Sequence, residues 1–112
     1  GWGINRGPPL HIRANYQLIT DNLLDPAHVN YVHRTTLGAG GAPETPLAVE
    51  QAGITIRATR HTPNAPPAPF FAKAGGLTGN VDRWQIYSLI LPTTAVVDGG
   101  SVECDPSRPP AE

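Results

Sequence analysis

At 112 residues, with 39% hydrophobic residues and a formal charge of −1, the chain is sized for one small domain or a part of a larger one. Its 13 prolines and 12 glycines exceed a fifth of the sequence, which predicts a loop-rich piece with a thin core rather than a disordered chain. Scattered Lys and Arg exclude a basic nucleic-acid surface and the apolar runs are too short to span a membrane. The lone Cys104 excludes an internal disulfide or an iron–sulfur cluster held by this chain alone.

No signal-peptide pattern opens the chain and a single cysteine suits a reducing compartment, so a cytoplasmic location is expected. The sequence has no methionine, and it closes on the polar, Pro-rich DPSRPPAE. Both features read as an excerpt of a longer protein.

In chain order, PLHIRANY alternates Leu10, Ile12 and Ala14 with His11 and Arg13, which predicts a strand. Asn15 is a favoured N-cap for a helix through about Leu24, with Tyr16, Ile19 and Leu23 on its buried face. Asp25 and Pro26 start a second, short helix that carries His28 and ends near His33 or Arg34. GAGGAPETP is a flexible loop by composition. LAVEQAGITIRATRH reads as one or two strands, with Ile54, Ile56 and Ala58 on one face and Thr55, Arg57 and Thr59 on the other. TPNAPPAPFFAKAGGLTGNV reads as a long irregular connection, and DRWQIYSLILPTTAVVDGG as strands at about 82–91 and 94–98 joined near Pro92. The class is α+β, an antiparallel sheet with helices on one side.

His28 and His33 are the chemistry-bearing pair. Five positions apart on an ideal helix, they sit roughly 140° around its axis from each other. They can converge on one metal only if the helix ends or bulges between them, and Val29 and Val32 in a short helix make that possible. The spacing alone admits a metal, and equally two surface or core histidines. A mononuclear iron(II) oxygenase centre uses two imidazoles and one carboxylate and leaves positions open.

The segment DNLLDPAHVNYVHRTTLG resembles the iron-binding stretch of Rieske non-heme iron oxygenases: an acidic residue, two residues, His, four residues, His. The flanking NYQLITDNLLD and the later PPAPFFAKAGGLTGNVDRWQIYSLILPTTAVVDGG extend the resemblance over residues 10–102, to the vanillate O-demethylase branch and its aromatic-acid relatives.

That resemblance implies several things. His28 and His33 match the iron-ligating histidines. The candidate catalytic residues are Asp25 and Asn22. Asp25 matches the acidic residue that hydrogen-bonds a ligand histidine and connects to the Rieske cluster of a neighbouring subunit, and Asn22 matches a position near the iron. The implied fold is a fragment of a helix-grip, START/Bet v1-like catalytic domain, in a protein that assembles as a homotrimer. The Rieske [2Fe-2S] domain, the third iron ligand and the long C-terminal helix fall outside this sequence, so residues 1–112 are a partial mononuclear iron domain, expected to be inactive alone. NADH electrons would arrive through a separate reductase or ferredoxin component. The substrate, with O2, would be an aromatic acid that is hydroxylated or O-demethylated, without nucleic acid or membrane as partner.

Phe70, Phe71, Trp84, Ile86 and Tyr87 are candidate pocket residues, although an aromatic on a strand is more often plain core. Arg57, Arg60 and Arg83 could meet an acid, or be solvated strand residues. His11 and His61 read as surface, and Cys104 as inert. The GAGGA run lacks the spacing and the Lys of a phosphate loop. Two other functions fit less: a START-like binding module without redox activity, and a zinc hydrolase, for which Glu44 and Glu50 lie far in sequence from the histidines.

Overall fold

The computed structural model describes residues 3–39, 45–105 and 107. Four strands form one antiparallel meander: β1 (Ala48–Ala52), β2 (Thr55–Ala65), β3 (Val81–Ile90) and β4 (Thr94–Glu103), in the order β1-β2-β3-β4. Three helices accompany them: α1 (Tyr16–Leu24), α2 (His28–Val32) and α3 (Pro69–Gly75). Among the described residues no helix is long and apolar enough to cross a membrane.

Local chemistry explains most boundaries. The Asn15 side chain accepts from the Gln17 amide at 2.9 Å and starts α1. Gly53, at φ +58°, takes the first position of the two-residue turn between β1 and β2, where the left-handed region of a type II′ hairpin suits glycine. β3 and β4 turn through Leu91–Thr93, with a cis Leu91–Pro92 bond. Near its end β2 bulges between Thr62 and Ala65, where Asn64 adopts φ +50° and its amide donates to Asp82 Oδ1 at 3.0 Å.

Several expectations differ from what forms. α2 starts at His28 with Ala27 as its N-cap, not at Asp25 and Pro26, and Ile54 lies in the turn before β2 rather than on a strand face. Residues 9–16 make no strand; they have no neighbour in the sheet, and Leu10 is 83% exposed. The segment after β2 is not wholly irregular: β2 runs on to Ala65, and α3 follows, with Pro69 in its first turn and a left-handed Gly76 at its end. On α1, Tyr16 and Leu23 remain 51% and 43% exposed, while Ile19 is half-buried. The loop expected at 38–46 and the tail from Asp105 onward lie largely outside the described residues, as does Glu44.

Register defines the two faces of the sheet, because residues directly opposite share a face. One face carries Ala58, Arg60 and Thr62 of β2, Tyr87, Gln85 and Arg83 of β3, and Val97, Gly99 and Ser101 of β4. The other carries His61, Trp84 and Gly100, then Thr59, Ile86 and Asp98. The core is thin, as the composition predicts: Val81, Ala68, Ala65 and Tyr87 are its buried apolar residues. α1 packs against β3 and β4.

Candidate metal centre

The short helix α2 begins at His28, and His33 is its C-cap, with φ −104° and ψ 29°. The helix therefore stops between the two histidines, and the 140° separation of an ideal helix does not apply. Their rings meet edge to face with centroids 5.4 Å apart. Imidazoles sharing one ion at metal–nitrogen distances of about 2.1 Å hold their centroids roughly 5 Å apart.

Each histidine is fixed through its backbone surroundings. His28 Nδ1 lies 2.6 Å from the Asp25 carbonyl oxygen, so Nδ1 carries the proton and donates, which leaves Nε2 as the free lone pair. The Asp25 carboxylate stands farther from that ring, at 3.8 Å, and its Oδ1 accepts from the Ala27 amide at 2.8 Å. Asp25 thus caps the turn into α2 with its side chain and orients His28 with its backbone. The His33 carbonyl accepts from the amides of Thr36, Leu37 and Gly38 at 2.9–3.0 Å. Gly38 is buried, and a Cβ there would stand 3.0 Å from both the Val29 carbonyl oxygen and the Arg34 Cα. A side chain there would press on this backbone, which would have to give way by a few tenths of an ångström beneath His33.

A cavity of about 370 Å³ opens beside the pair. The helical layer contributes Asn22, Leu23, His28, Val29 and His33, and the sheet contributes Arg83, Gln85 and Tyr87, with Leu37 and Phe71 also on its wall. Burial pushes the Tyr87 hydroxyl above its usual value; the Arg60 cation opposes the shift and the Asp25 charge adds to it. Burial, and then the neighbouring Arg60 cation, push Arg83 below the usual guanidinium value.

The structure thus brings Asn22, His28, His33 and Phe71 to one cavity, with Asp25 supporting His28. Trp84 borders the cavity too, although register puts it on the opposite face, where its indole lies over Gly100 and donates to Asp98 Oδ1 at 3.1 Å. Phe70 and Ile86 are elsewhere. Phe70 is 55% exposed, with Phe71 alone of the aromatic pair on the wall. Ile86 pairs with Thr59 and Asp98 on the far face. Strand alternation would have separated Ile86 from Gln85 and Tyr87 had the buried face been known in advance. Of the three candidate arginines, Arg57 is exposed and 3.8 Å from Glu50, whereas Arg60 is buried and Arg83 half-buried on the cavity face. Cys104 donates to Asp82 Oδ1 at 3.4 Å, and desolvation together with that contact pushes its thiol up, away from nucleophile chemistry.

Among the described residues no group of three His, Cys, Asp or Glu side chains gathers as a complete metal set. The donors present fit two positions of a two-histidine, one-carboxylate iron centre.

Known proteins resemble this sequence and share this fold. A family model of the vanillate O-demethylase oxygenase C-terminal domain matches residues 12–111. The vanillate O-demethylase oxygenase subunit of Pseudomonas sp. (strain HR199 / DSM 7063) is 34% identical over 97 residues, 80% of this chain and 27% of that protein. The toluene-4-sulfonate monooxygenase system iron-sulfur subunit of Comamonas testosteroni is 35% identical over 105 residues, 89% of this chain and 30% of that protein. The crystal structure of dicamba monooxygenase bound to 3,6-dichlorosalicylic acid shares the fold, with a TM-score of 0.67 at 23% identity over 86% of this chain and 28% of that one. The chain therefore spans less than a third of the length of these relatives. With nearly all of its residues inside one family model, and its two imidazoles converging beside a cavity, the chain belongs to the vanillate O-demethylase oxygenase C-terminal domain family of Rieske oxygenases.

Proposed function

We propose that residues 1–112 form part of the mononuclear iron domain of a terminal oxygenase, and that the intact protein oxygenates an aromatic acid using O2 and electrons from NADH. The convergence of His28 and His33 at 5.4 Å beside a cavity of about 370 Å³ carries this reading. The relatives' names support it: vanillate and toluene-4-sulfonate are both anionic aromatic compounds.

In this proposal His28 and His33 hold Fe(II), with a carboxylate from outside the described residues as third ligand. Bound there, the iron supplies the activation of dioxygen that no side chain can perform. The chain's own residues do the rest. The Asp25 carbonyl keeps the His28 Nδ1 proton in place, so that Nε2 faces the metal. Phe71, Leu37 and Val29 give the cavity an apolar wall, and Asn22 lines it with the histidines. A Rieske [2Fe-2S] cluster elsewhere in the protein would deliver electrons from a reductase or ferredoxin component, with Asp25 on the route between subunits of a homotrimer.

For a methoxylated substrate, the methyl C–H is hydroxylated and the resulting hemiacetal collapses to a phenol and formaldehyde. One O2, one NADH and one proton are consumed, and one water and one NAD+ are released. The test is oxygen uptake by the intact protein with a reductase, NADH and 3-methoxybenzoate. Formaldehyde should appear in equal amount to the phenol, and His33→Ala should abolish both. Undiminished oxygen uptake in His28→Ala and His33→Ala, or zinc-dependent turnover without NADH, would overturn the reading.

A further inference from the structure

Arg60 is the charged residue that the fold buries most deeply among the described residues, at 9% exposure on β2. Its Nε has no hydrogen-bond partner among them. Arg83 lies on the same face of the next strand, where its Nη1 makes a long 3.4 Å contact to the Pro66 carbonyl. Opposite Arg83 on β4, Ser101 presents a buried Oγ without a hydrogen-bond partner among the described residues. The ion pairs of the described residues join Asp25 to His28 and Glu50 to Arg57; neither Arg60 nor Arg83 takes a carboxylate there.

A buried guanidinium beside a half-buried one, with no carboxylate taken from the described residues, is an unfavourable arrangement unless an anion is supplied. Their location says where it would come from. Arg60, Arg83 and Gln85 border a recess of about 20 Å³, room for about one water-sized group. Arg83, Gln85, Val29 and Leu37 line both this recess and the larger cavity that holds the histidines. The histidines hang from the helical layer and Arg83 rises from the sheet, with the cavity between, while Arg60 borders only the recess.

We propose that Arg60 and Arg83 are the substrate's anion-recognition residues: Arg83 meets the carboxylate or sulfonate of an aromatic molecule whose ring lies in the larger cavity, and one oxygen of that group enters the recess against Arg60. Gln85, whose Nε2 also donates to the Tyr87 hydroxyl at 3.0 Å, borders the same recess, and Ser101 lines the larger cavity beside it. A planar guanidinium suits both oxyanions, because it offers parallel N–H groups at a fixed spacing. This assignment rests on the oxygenase reading for the identity of the ligand as substrate, but not for the binding itself.

The experiment compares 3-methoxybenzoate with the isosteric, uncharged 3-methoxybenzamide by calorimetry on the intact protein. Wild type should bind the acid roughly 10- to 100-fold more tightly. Arg60→Gln should remove most of that preference, costing the acid far more affinity than the amide, and Arg60→Lys should restore part of it. Equal binding of acid and amide by wild type overturns the proposal, with no variant needed. A parallel loss of acid and amide binding in Arg60→Gln also overturns it, because Arg60 would then be structural or paired to a carboxylate elsewhere in the protein. Should Arg60→Gln fail to fold, Arg83→Gln and the wild-type ratio decide. Acid preference without any NADH-dependent oxygen uptake would remove the oxygenase reading and leave the anion site standing.

Discussion

His28 and His33 meet because the helix between them stops. Five helical residues are too few to hold both rings on a regular cylinder, and the cap conformation at His33 swings its ring back toward His28. The motif was legible in the sequence; its geometry was not, because it depends on where α2 ends and on the amides that gather on the His33 carbonyl. Arg60 was equally hidden. A lone arginine between threonine and histidine on a strand reads as solvated, and only the register of β2 against β3 puts it beneath the helices.

Tyr87 gives a residue-level prediction. It is 5% exposed, and burial raises its hydroxyl above the ordinary value of 10.0. The fold favours the neutral phenol. This contribution to stability is therefore complete below the ordinary tyrosine value, and is lost as pH rises through the raised one. The difference in unfolding free energy between wild type and Tyr87→Phe should shrink as pH rises above about 10, measured by urea titration of the intact protein. A difference that stays constant across that range would contradict the assigned burial effect.

At the scale of elements, the parts written in local chemistry were readable. Asn15 capping α1, Gly53 in the β1–β2 turn and the β3–β4 pair all follow from residue types with a fixed backbone role. α3 was missed because the prolines ahead of it read as continuous loop, although Pro69 and Gly76 are start and stop signals. The false strand at residues 9–16 shows the opposite failure: alternation is a pattern of faces and says nothing about whether a neighbouring strand exists.

Gly100 is a case where packing decides. A Cβ at Gly100 would overlap the Trp84 indole, which is held by its bond to Asp98, whereas one at Gly99 would meet only the Trp84 carbonyl oxygen at 3.5 Å. Gly100→Ala should therefore lower stability by about 1–3 kcal/mol and Gly99→Ala by clearly less. Urea midpoints of the two variants that coincide would show that the indole yields freely.

At the scale of the molecule, the thin core and the apolar surface belong together. Leu18, Tyr31, Val32 and Val49 are 65%, 82%, 71% and 67% exposed, more apolar surface than a self-sufficient small domain shows. That supports the proposal that residues 1–112 are part of a catalytic domain completed by further chain. The low hydrophobic fraction and high Pro and Gly content already predicted the thin core, while the converging helical layer and sheet could come only from the fold.

The central claim is that His28 and His33 are iron ligands, and the most direct measurement is iron against acid-labile sulfide in the intact protein. Wild type should contain iron in excess of its sulfide, the excess being the mononuclear ion. His28→Ala and His33→Ala should lose that excess and keep the sulfide-matched iron of the cluster. Retention of the excess iron in both variants, or its absence from iron-replete wild type, would contradict the account.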